Sequence, residues 1–190
     1  MGQLFKLAMF ITSFIPLWAT VIFIDTLNII KHDVNLLTEY ISILTIITLN
    51  ILSILIILKS MSSIKASEYK PYKVIEVRQE KGITSEFLLS YVLPLFAFDF
   101  TLWSEVVQFL IYFIILSFLC VRNNNIYANL IFEINGYKFF DCELKWKPEQ
   151  NVKTTQVIVI SRNNISSQRG NTIEVASLNK PFHLMKDLKG

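Results

Sequence analysis

The sequence predicts a membrane protein: an α-helical bundle of four transmembrane helices with a small cytoplasmic β-rich (α+β) domain. Three observations carry this reading. Of 190 residues, 53% are hydrophobic and only 17% charged, against about 25% charged in a typical soluble domain. Four long apolar stretches occupy residues 1–121, leaving too little chain to cover them as the buried helices of a soluble protein. Beyond Arg122 the pattern changes to short apolar runs, strand-like alternation and turn residues. The expected division is a transmembrane domain over 1–121, with a cytoplasmic connection over 59–86, and a cytoplasmic β-rich domain over 122–190.

The spans follow from where charges stop. Leu7 to Ile24 is uncharged between Lys6 and Asp25, giving a span over 7–24. Tyr40 to Leu58 lies between Glu39 and Lys59 and gives a span over 40–58. Its Leu and Ile side chains favour insertion by roughly 6 kcal/mol together, so its polar residues would each have to cost more than about 1 kcal/mol to cancel that. Phe87 to Trp103, interrupted by Asp99, gives a third span over 87–103. Val106 to Val121 gives a fourth over 106–121, with Trp103 and Arg122 as interfacial anchors. The first run exceeds the 7–15 residues of a signal-peptide core, so it is read as retained. Lys6 stands where a myristoylation pattern has Ser or Thr.

Within the spans, Ser42, Thr45, Asn50 and Ser53 fall in one arc of a helix and are expected to face other helices, where hydrogen-bond partners exist. A water-lined path is the sharper alternative. Pro16 and Pro94 each free a backbone carbonyl and are candidates for a helix kink or gate, against plain packing kinks. Asp99 and Glu105 on the outer side form either an ion-attracting ring in an oligomer or a simple exit turn.

Basic residues set the orientation. Lys31 alone lies between the first two spans and none lies between the last two. The connection carries Lys59, Lys65, Lys70, Lys73, Arg78 and Lys81, and the rest lie at Lys6 or from Arg122 onward, so 17 of the 18 basic residues fall on one side. The positive-inside rule then gives N-in and C-in. The lysine-rich connection suits anionic membrane lipid, but Glu68, Glu76 and Glu80 blunt that, and a solvated or protein-binding surface is the alternative.

In the tail, Leu130 to Ile134, Asn135-Gly136 and Tyr137 to Trp146 read as a hairpin, although 127–132 also suits a short interfacial helix. Val157 to Ser161 and Thr172 to Leu178 read as strands separated by a turn at Gln168 to Asn171, and Tyr72 to Gln79 has the composition to join the same sheet. A module this small is marginal alone, so an oligomer or partner is expected to supply burial. Lys138, Lys145, Trp146, Lys147, Arg162 and Arg169 are the candidates for partner contact.

No P-loop, dinucleotide loop, HExxH or CxxC occurs. His32 and His183 fall on opposite sides of the membrane under this topology, and Cys120 and Cys142 read as packed thiols. No catalytic, cofactor-binding or metal-ligating residue is expected, and the chain is not read as an enzyme.

Several passages carry a family likeness: Ser13-Phe14-Ile15-Pro16-Leu17-Trp18, Phe87 to Pro94, Asn135-Gly136-Tyr137-Lys138-Phe139-Phe140, and Val157 to Arg162. With the layout of spans and tail, the chain resembles the KwaA family, the membrane component of the bacterial two-gene anti-phage system Kiwa. The resemblance implies an inner-membrane homo-oligomer, a tetramer, that acts as sensor and scaffold. It implies binding of KwaB, a cytoplasmic DNA-binding partner, holding it at the membrane to block phage DNA replication and late transcription. No direct nucleic-acid contact is expected of this chain. The alternative from the polar stripe and the outer acids is a small oligomeric pore or permeabilising effector. A transporter rests only on the paired prolines.

Overall fold

The computed structural model describes residues 2–31, 36–79, 93–94, 97–123, 129–146 and 154–186. Its elements are α1 (Gly2–Ser13), α2 (Ile15–Lys31), α3 (Leu36–Ser62), a 3-10 turn (Ala66–Glu68), β1 (Lys70–Gln79), α4 (Trp103–Asn123), α5 (Leu130–Ile134), β2 (Lys138–Trp146), β3 (Thr155–Ser161), β4 (Thr172–Asn179) and β5 (Phe182–Met185). They divide into a helical unit, residues 3–56 and 82–130, and a barrel unit, residues 1–2, 57–81 and 131–190.

Pro16 shapes the start of the helical unit. It has no N–H to donate and its ring disfavours helical backbone just before it. Accordingly α1 stops at Ser13 and α2 begins at Ile15, bent by 55°. The break is stitched locally. The Phe14 N–H and the Trp18 indole N–H both donate to the Ile11 carbonyl, at 3.2 and 3.1 Å. The Thr12 and Ser13 hydroxyls turn back to the carbonyls of Ala8 and Phe10, at 2.8 and 2.6 Å.

α3 has 27 residues and α4 has 21, roughly 40 and 32 Å at 1.5 Å per residue. Both are long and apolar enough to cross a membrane, and the bent α1–α2 pair counts as a third at most among the described residues. This corrects the expected fold class. The run over 7–24 is not one continuous helix: it falls on α1 and α2, which are bent at the break before Pro16 and count together as one span at most. Of the expected third span over 87–103, residues 87–92 and 95–96 lie outside the described residues. The second unit is a closed five-stranded barrel rather than a small β-rich tail.

Closure depends on a strand from the lysine-rich connection. β1 pairs antiparallel with β2 and with β4, and the barrel order is β1-β2-β3-β5-β4. Every pairing is antiparallel except β3 with β5. This is the strand order of an OB-type Greek-key barrel. Alternation sends Val74, Phe140, Cys142, Leu144, Val157, Val159, Ile173 and Val175 inward, where Ile165 and Met185 join them in one buried core. A bulge between Val74 and Glu76 bends β1. There the β3–β4 loop takes over: Gly170 N–H donates to Val74 O at 2.8 Å and Val74 N–H to Asn171 O at 2.9 Å.

Residues 130–134, which the sequence leaves open between a hairpin arm and a short helix, form helix α5. Gly136, at φ +76°, ends it in a Schellman motif: Gly136 N–H donates to Glu133 O at 2.9 Å and Tyr137 N–H to Phe132 O at 2.8 Å. The rings of Phe132 and Tyr137, 5.9 Å apart, supply the apolar contact that accompanies this cap. A positive-φ glycine serves a hairpin turn and a helix cap equally well, which is why Asn135-Gly136 misled. Phe132 also packs on Phe139 of β2 at 5.4 Å.

Candidate functional site

The outward positions of β1 and β2 carry charge, and the register arranges it. Lys73 stands opposite Lys145, Glu76 opposite Glu143, and Arg78 opposite Asp141. Arg78 also holds Glu76 through Nε and Nη2 at 3.0 and 2.9 Å. At the rim where β1 begins, the Lys70 ammonium lies 5.8 Å from the ring centre of Trp146, and Tyr72 is the cross-strand partner of that tryptophan.

The expected partner-contact residues fall into separate places. Lys138 pairs with Ser161, and the adjoining Arg162 lays its guanidinium 4.6 Å from the Tyr137 ring. Lys145 and Trp146 lie at the other end of β2, about 23 Å away at 3.3 Å per residue. Arg169, in the β3–β4 loop, donates from Nε to the Ile75 carbonyl at 3.2 Å. Lys147 lies outside the described residues. β3 presents a different surface: its outward Ile158 and Ile160 are buried, as are their β5 neighbours Phe182 and Leu184.

Inside the barrel, burial pushes the Cys142 thiol up to about 12, and the adjacent Asp141 charge adds to this. It is therefore a protonated, packed thiol at neutral pH. Burial also holds His183 below the usual imidazole range, aided by Lys180 and opposed by the Pro181 carbonyl 3.0 Å from Nδ1. Cys120 and Cys142 are free thiols. Among the described residues no three His, Cys, Asp or Glu side chains gather to hold a metal ion.

In the helical unit, Ser53 is buried and donates to Leu49 O at 2.8 Å. Asn50 donates to Ile46 O at 2.9 Å, Ser42 is half-buried, and Thr45 is exposed. Pro16 marks the α1–α2 break; Pro94 is buried and accepts from Phe98 N–H at 3.1 Å. Asp99 accepts from the Thr101 N–H and hydroxyl at 2.9 and 2.6 Å, and Glu105 accepts from the Asp99 N–H. Both acids thus organise the turn that leads into α4.

Two features escaped the sequence reading. Trp18, Phe14 and Phe10 pack on Phe113 at 5.1, 5.0 and 5.1 Å, and Phe109 continues the cluster to Phe98 and Phe100 at 5.7 and 5.2 Å. Asn129 is 2% exposed and donates to the Met9 carbonyl and the Thr12 hydroxyl. Nothing in the periodicity of either segment marks these partners, which meet only in the fold. Outside this cluster, α3 and α4 present wide apolar faces: Leu44, Leu55, Ile114 and Phe118 are all more than half exposed.

A comparison with protein families matches residues 5–183 to the family described as anti-phage protein KwaA. No curated protein and no solved structure matches the chain. The match runs from α1 to β5 and so takes in both units, and on that evidence the chain belongs to the KwaA family of anti-phage proteins.

Proposed function

We propose that this anti-phage protein is the membrane-held scaffold of a Kiwa system. In this reading the helical unit sits in the bacterial inner membrane as a homo-oligomer, a tetramer. The barrel faces the cytoplasm and recruits KwaB, whose DNA binding blocks phage DNA replication and late transcription. The observation that carries it is the exposed apolar surface of α3 and α4, with Leu37 at 75%, Leu44 at 67% and Ile114 at 66% exposure. Contiguous apolar surface on helices of this length suits lipid or a neighbouring subunit.

Chain connectivity supports N-in and C-in. Gly2 and residues 57–81 belong to the barrel unit, so the chain between them leaves that unit and returns to it. Asn179 reinforces this by donating its side-chain amide to the Gly2 carbonyl. β1 and β2 pair in one closed barrel, so the chain belongs to that unit both before and after the second helical stretch. Among the described residues the barrel offers a partner mixed charge and aromatic rings, which favours a protein partner over nucleic acid.

Co-expression with KwaB followed by purification in mild detergent tests the scaffold. Retention of KwaB through the full-length chain is expected, and complete separation under gentle conditions removes the basis of the proposal. The second reading, a small pore, draws on Asp25 Oδ2 and Asn50 Oδ1, buried oxygens without a hydrogen-bond partner among the described residues. Dye or ion flux in liposomes that falls on replacing these residues would favour it.

A further inference from the structure

We propose that Asp25 on α2 and Glu39 on α3 form a carboxyl pair that shares one proton and latches the two helices together in a pH-dependent way. The inference stands on contacts inside the helical unit and does not depend on the scaffold reading.

Chain order brings the two acids to one end of that unit. α2 runs to Lys31 and α3 starts at Leu36, so a short connection turns the chain back. Asp25 lies in the second half of α2 and Glu39 in the first turn of α3. Both belong to the compact unit of residues 3–56 and 82–130. Their carboxyls lie within hydrogen-bond reach of one another. Asp25 is only 4% exposed, a depth at which acidic side chains are rare unless paired.

Two carboxylates supply acceptors only, so their contact needs something positive in it. Among the described residues no donor reaches the buried Oδ2 of Asp25. The charge that acts on Glu39 is that of Asp25 itself. Other ionisable groups on these elements are placed differently. Lys31 closes α2 and is exposed, and Tyr40 beside Glu39 is exposed as well. Glu105 at the start of α4 accepts from the Asp99 N–H, and the Asp99 carboxylate is taken up by Thr101. His32 and Asp33, in the connection, lie outside the described residues. Among the described residues no three His, Cys, Asp or Glu side chains gather, so the pair falls short of the ligand set that a metal ion takes. A proton fits the space: one carboxyl then donates an O–H to the other, and the pair carries a single charge.

Sharing fixes the sign of the pH dependence. Like charges in contact do not both ionise at ordinary cost, so the pair keeps this proton above about pH 4, where single carboxyls lose theirs. The two groups titrate as a unit. The unfolded chain has already released both protons in that range, so the fold binds one more, and its stability falls as pH rises. Loss of the last proton leaves two carboxylates in contact, one of them buried, and drives α2 and α3 apart at this end.

The test uses the full-length chain in detergent without a partner protein. Infrared spectra at about pH 7 should show the carbonyl band of a protonated carboxyl, lost in both Glu39→Gln and Asp25→Asn. Each variant keeps one carboxylate facing an amide donor and so imitates the singly protonated pair. From about pH 5 to about pH 8 the melting temperature of the unmodified chain should fall by roughly 5 °C relative to either variant. His183 titrates alike in all three chains and cancels in the comparison. If one variant fails to fold, the other gives the same comparison. Absence of the band, or melting temperatures that run parallel with pH in all three chains, would overturn the proposal. So would a rise in melting temperature with calcium or magnesium at about pH 8 that both variants lose, which would make the pair a cation site. Neither failure bears on retention of KwaB, which tests the scaffold separately.

Discussion

The side-chain amide of Asn129 donates to the hydroxyl of Thr12 at 2.8 Å, across 117 residues of sequence. The Thr12 hydroxyl donates to the Ala8 carbonyl at 2.8 Å, so its oxygen is free to accept. The same amide donates to the Met9 carbonyl at 2.9 Å. The contact lies just before the α1–α2 break, where Pro16 has removed a backbone donor. It fixes the end of α1 to the chain that follows α4, where both groups are shielded from water.

Replacing Asn129 by Ala leaves the Met9 carbonyl and the Thr12 oxygen without this donor. The expected cost is about 1–3 kcal/mol, the penalty for unpaired buried polar groups. Thr12→Val removes the acceptor from the other side. Thermal unfolding in detergent should show the double variant losing less than the sum of the two singles, since they share one bond.

Gly136 is at φ +76° with no atom within 4 Å of where a Cβ would stand. Gly136→Ala therefore costs only backbone strain, about 1 kcal/mol. Gly136→Asn should cost less, because Asn tolerates the left-handed region. Equal melting temperatures for Ala and Gly at this position would show that the Schellman cap does not set the end of α5.

Cys142 is fully buried in the barrel core, and its thiol is pushed up to about 12 by burial first and the Asp141 charge second. In a Cys120→Ser background it should resist a maleimide at neutral pH and react promptly once the barrel is unfolded in denaturant. Fast labelling of the native protein would mean that the core opens readily or is packed differently.

His183 gives the barrel a pH dependence of known sign. Burial, the larger cause, and Lys180 hold its folded pKa below the usual value. The unfolded chain therefore takes up this proton first, from about pH 6.5 downward. The contribution of His183 is fully present above that pH and is lost as pH falls through it toward the folded pKa. Between pH 7 and 5 the native chain should lose stability relative to His183→Asn, which keeps an N–H for the Pro181 carbonyl. A native chain that instead gains on the variant upon acidification would contradict the burial of the ring.

Apolar runs made α3 and α4 legible, because long helices without charge leave few alternatives at the level of composition. Strand alternation likewise revealed most of the barrel: β3 and β4 fall where the short apolar runs lie, and β1 covers the strand composition at Tyr72 to Gln79. Closure was not legible. It depends on β1 pairing with β4 and on β3 running parallel to β5, and β5 is only four residues long. The break at Pro16 was read as a kink because proline shows that a bond is lost but not how far the axis turns. The links at Trp18 and Asn129 join segments by side-chain hydrogen bonds to backbone, which leave no periodic trace. The partner-contact residues were chosen by type alone, so the register was free to divide them between two ends of β2.

Sidedness in living cells tests the central claim, a membrane-held helical unit with its barrel in the cytoplasm. Single cysteines at Ser104, at the start of α4, and at Asn163, exposed beside β3, would be placed in a Cys120→Ser/Cys142→Ala background. They would then be treated with a membrane-impermeant maleimide on cells whose outer membrane has been made permeable. The account predicts that the Ser104 site reacts, while the Asn163 site reacts only after the inner membrane is broken. Labelling of the Asn163 site in cells with an intact inner membrane would contradict it.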